Sequence, residues 1–390
     1  MSSVEIPWAA WYGEKSIQLD FPSGWQVQAH AMKGGTDIGD TGIRRSLSET
    51  HGAPPLRDFV QGRESAAILI DDLSRPTPAF RLLPYLLEEL EAGGIGRDQV
   101  KIICALAAHR PMTRDDLIKK VGLDIVETMQ VLNHNAYENL EFLGYSSRGI
   151  PVQVNRDLMG CQVRIALGMI TPRGGMFGGG AKLLIPGACG QQTILLNHRF
   201  VHENFREHLS EVARMAGVDY IVNPLLNEKL ETIGLVAGDT DIAFEKGCQL
   251  GRELYATHIP DEIEIGVFNA FPKDTELCQA GLGMVPLNSS SKKPLGPNST
   301  VVLCSASPEG LGWHSVLGPG TALRGQPGKR STRTILFAPG VNHWDSKSLF
   351  GEDTIFCKTW PEVIAQLKKY HGDGARVDVF TAGAIQMAAE

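Results

Sequence analysis

Residues 178–198, GGGAKLLIPGACGQQTILLNH, place a lysine and a histidine sixteen residues apart in a setting that gives both of them chemistry. Gly178, Gly179 and Gly180 carry no side chains, so a bulky ligand can approach the backbone beside Lys182. A lysine there can hold a phosphate as a point charge or form a covalent bond. A histidine downstream, His198, can ligate a metal. From Gly175 the order GMFGGGAK comes near the phosphate loop GxxxxGK[ST], but Ala181 intervenes and Leu183 replaces the hydroxyl that magnesium needs, which excludes an ATPase. The GxGxxG spacing of a dinucleotide site is also missing. His198 and His202 lie four apart on an expected helix, yet HRFVH lacks the glutamate of a zinc peptidase, and His202 and His208 read as exposed helix residues.

Two further constellations fall at expected strand ends. In DDLSRPTP, Asp71, Asp72 and Arg75 follow the apolar run SAAILI; one of the aspartates could equally cap the next helix. His109 ends VKIICALAAHR. Adjacent strands bringing Asp72 and His109 to one sheet edge would give a carboxylate-oriented imidazole, the usual form of a general base.

The elements that must position these residues read as α/β. SIQLDF, the turn PSGW and QVQAHA form an expected hairpin. SAAILIDD and VKIICALAAHR are buried strands, each followed by a helix: PTPAFRLLPYLLEELEAGG, closed by two glycines, and MTRDDLIKKVG, capped by Thr113. CQVRIALGMI, a short LLIPG and VDYIVNPLL continue as strands. QQTILLNHRFVHENFREHLSEVARMAG reads as one long helix, and GDTDIAFEKGCQLGRELYATHI closes this half. From Pro260, EIEIGVFNAFP, VVLCSAS, TRTILFAPG, DTIFCK, WPEVIAQLKKYHG and ARVDVFTAG alternate strand and helix. GLGWHSVLGPGTALRGQPGKRS is glycine- and proline-rich, without periodicity. The expected fold class is therefore α/β with two domains, 1–259 carrying catalysis and cofactor attachment and a smaller 260–390, whose last residues could return to the first. Each domain would hold a mixed or parallel sheet flanked by helices, with the active site in the cleft between them.

Bulk properties narrow the class. A net charge of −7 with no basic block longer than Lys292-Lys293 argues against nucleic acid and anionic membranes. Seven cysteines without CxxC spacing point to a reducing compartment, and no run of about eighteen apolar residues occurs. MSSVEIPWAAWYGEK lacks the pattern of a signal peptide, so a cytoplasmic enzyme is expected.

In order along the chain, IPWAAWYGE, DDLSRPTP, ALAAHRPMT, the GGxK-x-x-x-PG block with its later histidine, and NAFPKDTELCQA resemble the nickel-dependent lactate racemase family. The resemblance covers most of the chain. It implies a nickel-pincer nucleotide joined to Lys182 through a thioamide, its nickel bound by two sulfurs and a pyridinium carbon of the cofactor and by His198. Gly178, Gly179 and Gly180 would give room to the pyridinium ring and phosphate, with Asp71 on the cofactor as well. His109, oriented by Asp72, would take the hydroxyl proton of a 2-hydroxy acid while the C2 hydride passes to the cofactor. Arg75 would bind an anionic group and Gln279 the substrate. Enzymes that make the cofactor are implied partners, and the oligomeric state stays open.

Two departures stand out. The family's second catalytic histidine is replaced in TPRGGMFGGGAK by Arg173, a poor base, and the spacing there is one residue shorter. In Cys278-Gln279-Ala280-Gly281-Leu282 the glutamine of YQxxK survives and the lysine is lost. A larger acid than lactate is expected, a sugar acid or a dicarboxylate, with the second proton-transfer group unassigned. The alternatives are a carrier that keeps Lys182 and His198 without inverting anything, and an NAD-type oxidoreductase, for which the glycine fingerprint is missing.

Overall fold

The computed structural model describes residues 2–13, 15–173, 176–200, 203–318, 321 and 332–389. Glu14, Gly174, Gly175 and His202 lie outside the described residues, as does most of the glycine- and proline-rich stretch after Gly318. Two six-stranded sheets carry the molecule. The first runs, in spatial order, Thr232–Asp239, Tyr220–Leu226, Val163–Leu167, Ala66–Ile70, Val100–Cys104, Gln130–Asn133. Every neighbouring pair is parallel except the first, which is antiparallel. Its central strand, AAILI, is buried at all five positions, as a strand covered by helices on both faces requires. Helix Ala79–Ala92 packs Leu82, Leu83, Leu86, Leu87 and Leu90 against this sheet. Helix Arg114–Val121 starts at Thr113 in a reciprocal cap with Asp116.

The second sheet is all parallel, in the order Ile355–Cys357, Arg333–Phe337, Leu295–Cys304, Ile263–Asn269, Arg376–Phe380, Gln26–His30. The α/β class expected from the patterning is therefore the observed one. The first sheet draws only on residues 66–239, but the second takes its edge strand from the start of the chain. In turn, Met387–Ala388 pairs with Ala256–Thr257. We retain the division near residue 260 as a proposal for the domains, with the first thirty residues siding with the second sheet. Among the described residues no helix is long and apolar enough to cross a membrane.

Several local expectations are corrected. SIQLDF pairs with Ser2–Pro7, not with QVQAH, because Gln26–His30 lies instead along Arg376–Phe380, where buried His30 meets Asp378 at 2.8 Å. LLIPG is no strand: Gly179 and Gly180 adopt φ of 110° and 56°, and the chain curls into a short 3-10 turn over Gly180–Leu183. The long helix is two, Gln191–Phe200 and Phe205–Met215, with Asn204 at φ 47° opening the second. His208 is buried rather than exposed, sharing the inner face of that second helix with Leu209 and Val212.

Candidate active site

Three neighbouring strands deliver the central groups. Ala66–Ile70 lies between Val100–Cys104 and Val163–Leu167, with Ile70 in register with Cys104 and Leu167. Asp71 and Asp72 follow the first of these strands directly. The second stops at Cys104, short of the expected end at His109. A turn then brings the His109 amide onto the Leu106 carbonyl, with Ala107 at φ 53°. The third leads to the hairpin Thr171–Arg173 with Met176–Gly178. Ligands in such sheets sit beyond the carboxyl ends of the strands.

His109 Nδ1 lies 2.8 Å from Asp72 Oδ2. The other Asp72 oxygen accepts from the Ser74 amide at 3.0 Å, the Ser74 hydroxyl at 2.6 Å and Arg75 at 3.5 Å. Burial alone would raise this carboxyl. The His109 and Arg75 charges and the Ser74 hydroxyl outweigh burial and hold it far below the usual carboxylate range. With Nδ1–H committed to Asp72, Nε2 of His109 keeps its lone pair for a proton. Neither aspartate caps the next helix, whose N-cap is Pro78. Asp71 instead binds Thr77 at 2.6 Å and the fully buried Lys120. Lys120 also donates to the Asp72 carbonyl at 3.0 Å and the Arg75 carbonyl at 2.9 Å, which fixes the 71–75 loop.

Both ends of the opening stretch reach one cavity of about 410 Å³. Arg75, His109, Arg173, Lys182 and His198 line it from the first half of the chain; Cys278, Gln279, Leu282 and His314 line it from the second. A side cavity of about 30 Å³ shares Arg75, Arg173 and Lys182 with it, and adds Asp71, Gly178 and Gly179. The protein around these glycines leaves no room for side chains. A Cβ would sit 2.7 Å from the Thr171 hydroxyl at Gly178, 2.9 Å from the Met169 carbonyl at Gly179 and 2.7 Å from Arg206 at Gly180. The Gly180 amide donates to buried Asn223 at 2.8 Å, which seats the lysine turn on the first sheet.

The electrostatics are one-sided. Burial, then the charges of Arg173, Arg75 and Arg206, push the Lys182 amine well below the usual lysine range. Burial and Arg75 bring Arg173 down to about 9, and burial brings Arg206 down to about 10. Arg173 Nε and one Arg206 terminal nitrogen are buried without a hydrogen-bond partner, and no carboxylate among the described residues pairs with Lys182. Such a set of desolvated cations is matched by an anionic ligand. His198 donates Nδ1–H to the Ile194 carbonyl at 2.7 Å, leaving Nε2 as a free imidazole ligand, and burial lowers its pKa. Among the described residues no three His, Cys, Asp or Glu side chains could hold a metal together, so a metal on His198 would take its other ligands from a bound molecule.

A sequence model of the lactate racemase N-terminal domain matches residues 12–210, just over half of the chain. The chain belongs to the lactate racemase family. Two relatives are named lactate racemase. That of Lactiplantibacillus plantarum is 26% identical over 69% of this chain and 66% of its own length. That of Thermoanaerobacterium thermosaccharolyticum is 27% identical over 75% and 72%. The match thus spans just under two thirds of the first relative. The lactate racemase apoprotein of the latter organism superposes over the whole of both chains, with a TM-score of 0.76 at 20% identity. A Thermotoga maritima protein covers 90% of this chain and 99% of its own, with a TM-score of 0.68 at 16% identity. These two likenesses show the fold alone.

Four groups at or beside the site carry little or no local mark in the sequence. Arg206 and Lys120 sit on helices with nothing to mark them. Lys273 is buried, donates to the Ser74 carbonyl at 3.1 Å and is pushed well below the usual lysine range by burial and then by Arg75 and Arg173. His314 lies in the aperiodic GLGWHSV segment, yet its ring centroid is 5.3 Å from that of His109 and 6.1 Å from that of His198. Burial, then the two neighbouring histidines, push it down to about 3. Its only sequence signal was a histidine among glycines just past a buried strand.

Proposed function

We propose that the protein is an isomerase that inverts C2 of a 2-hydroxy acid, using a nickel-pincer nucleotide attached at Lys182 with His198 as the protein ligand of the nickel. The observation that carries this reading is the Asp72–His109 pair opening on a cavity that also holds the Lys182 amine and Arg173, whose Nε is buried without a partner. Burial and the neighbouring arginines favour the neutral form of the Lys182 amine, which is its nucleophilic form and suits covalent attachment. Orphaned nitrogens on Arg173 and Arg206 suit the anionic groups of a nucleotide and a substrate, and the free Nε2 of His198 suits a soft-ligated metal. When bound, the nucleotide supplies an acceptor for the hydride on C2. His109 Nε2 takes the hydroxyl proton, Asp72 steadies the imidazolium that results, and Arg75 grips the carboxylate beside C2. Arg173 stays a cation and binds a second anionic or polyhydroxy end of the substrate, and Gln279 hydrogen-bonds it. With Leu282 where the family pattern has lysine, the substrate is a sugar acid or a dicarboxylate larger than lactate. Seven cysteines, none in a disulfide, fit a cytoplasmic setting alongside the enzymes that make the cofactor.

Co-expression with those enzymes should add the nucleotide mass at Lys182 and bring nickel with it. The loaded protein should then interconvert the enantiomers or epimers of one acid in a panel running from lactate through malate to gluconate, read by chiral chromatography. An unmodified Lys182 without nickel overturns the cofactor assignment. A loaded protein that inverts none of the acids is a carrier rather than a racemase.

A further inference from the structure

The His314 imidazole has no part in the steps above, yet it stands beside the base. Its loop crosses from the second half of the chain to the first and is tied down on both sides. The Trp313 amide donates to Glu276 at 3.2 Å, the Ser315 amide to the Ala108 carbonyl at 2.8 Å and the Gly318 amide to the His314 carbonyl at 3.0 Å. These bonds set the ring one residue away from a direct backbone link to the His109 turn.

The same loop decides which ring nitrogen carries hydrogen. His314 Nδ1 accepts from the Leu317 amide at 2.9 Å and the Val316 amide at 3.3 Å. An N–H on Nδ1 would point into two amide N–H groups. The single hydrogen of the neutral ring is therefore on Nε2, and a second hydrogen on Nδ1 is opposed by the backbone itself. Nε2 has no protein partner among the described residues, while the ring lines the cavity between the base and the nickel ligand. A ring held this way offers a hydrogen and cannot accept one. It is thus not the missing second base.

What it can do follows from the reaction. As His109 removes the hydroxyl proton and C2 loses its hydride, the C2 oxygen passes through a state richer in negative charge than the alcohol. A fixed neutral donor aimed there lowers that barrier, as oxyanion-type donors do elsewhere. Resting on the function proposed above, we infer that His314 is a catalytic residue whose Nε2–H donates a hydrogen bond to the oxygen on the carbon being inverted, beside the Asp72–His109 pair.

The tautomer is measured first, on the full-length chain with ¹⁵N-labelled histidine, by long-range ¹H–¹⁵N correlation near neutral pH. A neutral Nε2–H form for His314 is expected, and an Nδ1–H form overturns the inference whatever the substrate proves to be. With the loaded protein and the acid it inverts, His314→Ala should lower kcat about 10²-fold. KM should move less than about threefold, and nickel and intact mass should be unchanged. His314→Gln, which keeps an amide N–H near the Nε2 position, should recover about tenfold of the loss. Equal losses in both variants mean the ring only packs, and loss of nickel means it serves the metal; either result overturns the donor role. A wild-type protein that is loaded but inverts no acid overturns the function beneath it instead.

Discussion

A carboxylate held far below its usual range by a histidine, a serine and an arginine keeps its charge near neutral pH. Asp72 thus fixes the His109 tautomer without titrating. Asp72→Asn should preserve the fold by circular dichroism and nickel loading while lowering kcat by about 10²- to 10⁴-fold, since the amide no longer favours the imidazolium. His109→Ala should abolish turnover with nickel content unchanged, and lost nickel would show its role to be misplaced. Lys182 carries a prediction that needs no substrate. In the cofactor-free protein its amine, pushed toward the neutral form by burial and three arginines, should acylate with acetic anhydride at pH 7 well ahead of the exposed lysines, read by peptide mass spectrometry. Equal labelling would mean that the amine is protonated. These residues were legible because each sits in a short string whose neighbours constrain it. Lys120, Lys273 and His314 were not, since their partners lie far along the chain: Lys120 meets Asp71 from 49 residues away. No local spacing encodes such a meeting.

Elements were read best where one periodicity ruled and worst where backbone conformation did. The buried strand AAILI and the capped helix at Thr113 follow from pattern alone. The lysine turn does not, because two left-handed glycines bend a segment whose composition reads as strand. Gly179→Ala should cost stability both through its positive φ and through the Met169 carbonyl 2.9 Å from the added methyl. Thermal unfolding would show it, and an unchanged Tm would mean the turn gives way cheaply. The loop after the first catalytic strand depends more on charge. Lys120→Met removes three donations and leaves Asp71 buried without its cation, so denaturant unfolding should show a loss of about 3–5 kcal/mol. A loss below about 1 kcal/mol would indicate that Asp71 takes up a proton or water at little cost.

At the scale of the whole molecule, the cavity exists only where loops from both sheets meet, which a linear reading could propose but not locate. One of the ties between the start of the chain and its second half is sensitive to pH. The buried Asp274 carboxylate accepts from the Ala9 amide at 2.7 Å and the Ala10 amide at 3.2 Å, and burial pushes its pKa up to about 6. A raised carboxyl pKa means that the folded state binds the proton more tightly than the unfolded chain. Its contribution is full below about pH 4 and is lost as the pH rises through about 6. Asp274→Asn, which does not titrate, should therefore gain on the wild type by up to about 3 kcal/mol between pH 4 and pH 7 in denaturant midpoints. A constant gap across that range would show that Asp274 does not change protonation on folding. The edge strand Gln26–His30 carries another consequence, for synthesis. Among the described residues its only partner in the sheet is Arg376–Phe380, the last strand of that sheet to leave the ribosome. The first strand of this sheet to be made must wait, unpaired, for nearly the whole polypeptide. Nascent chains stalled before residue 376 should thus be cut by protease near residue 30, and completed chains should not.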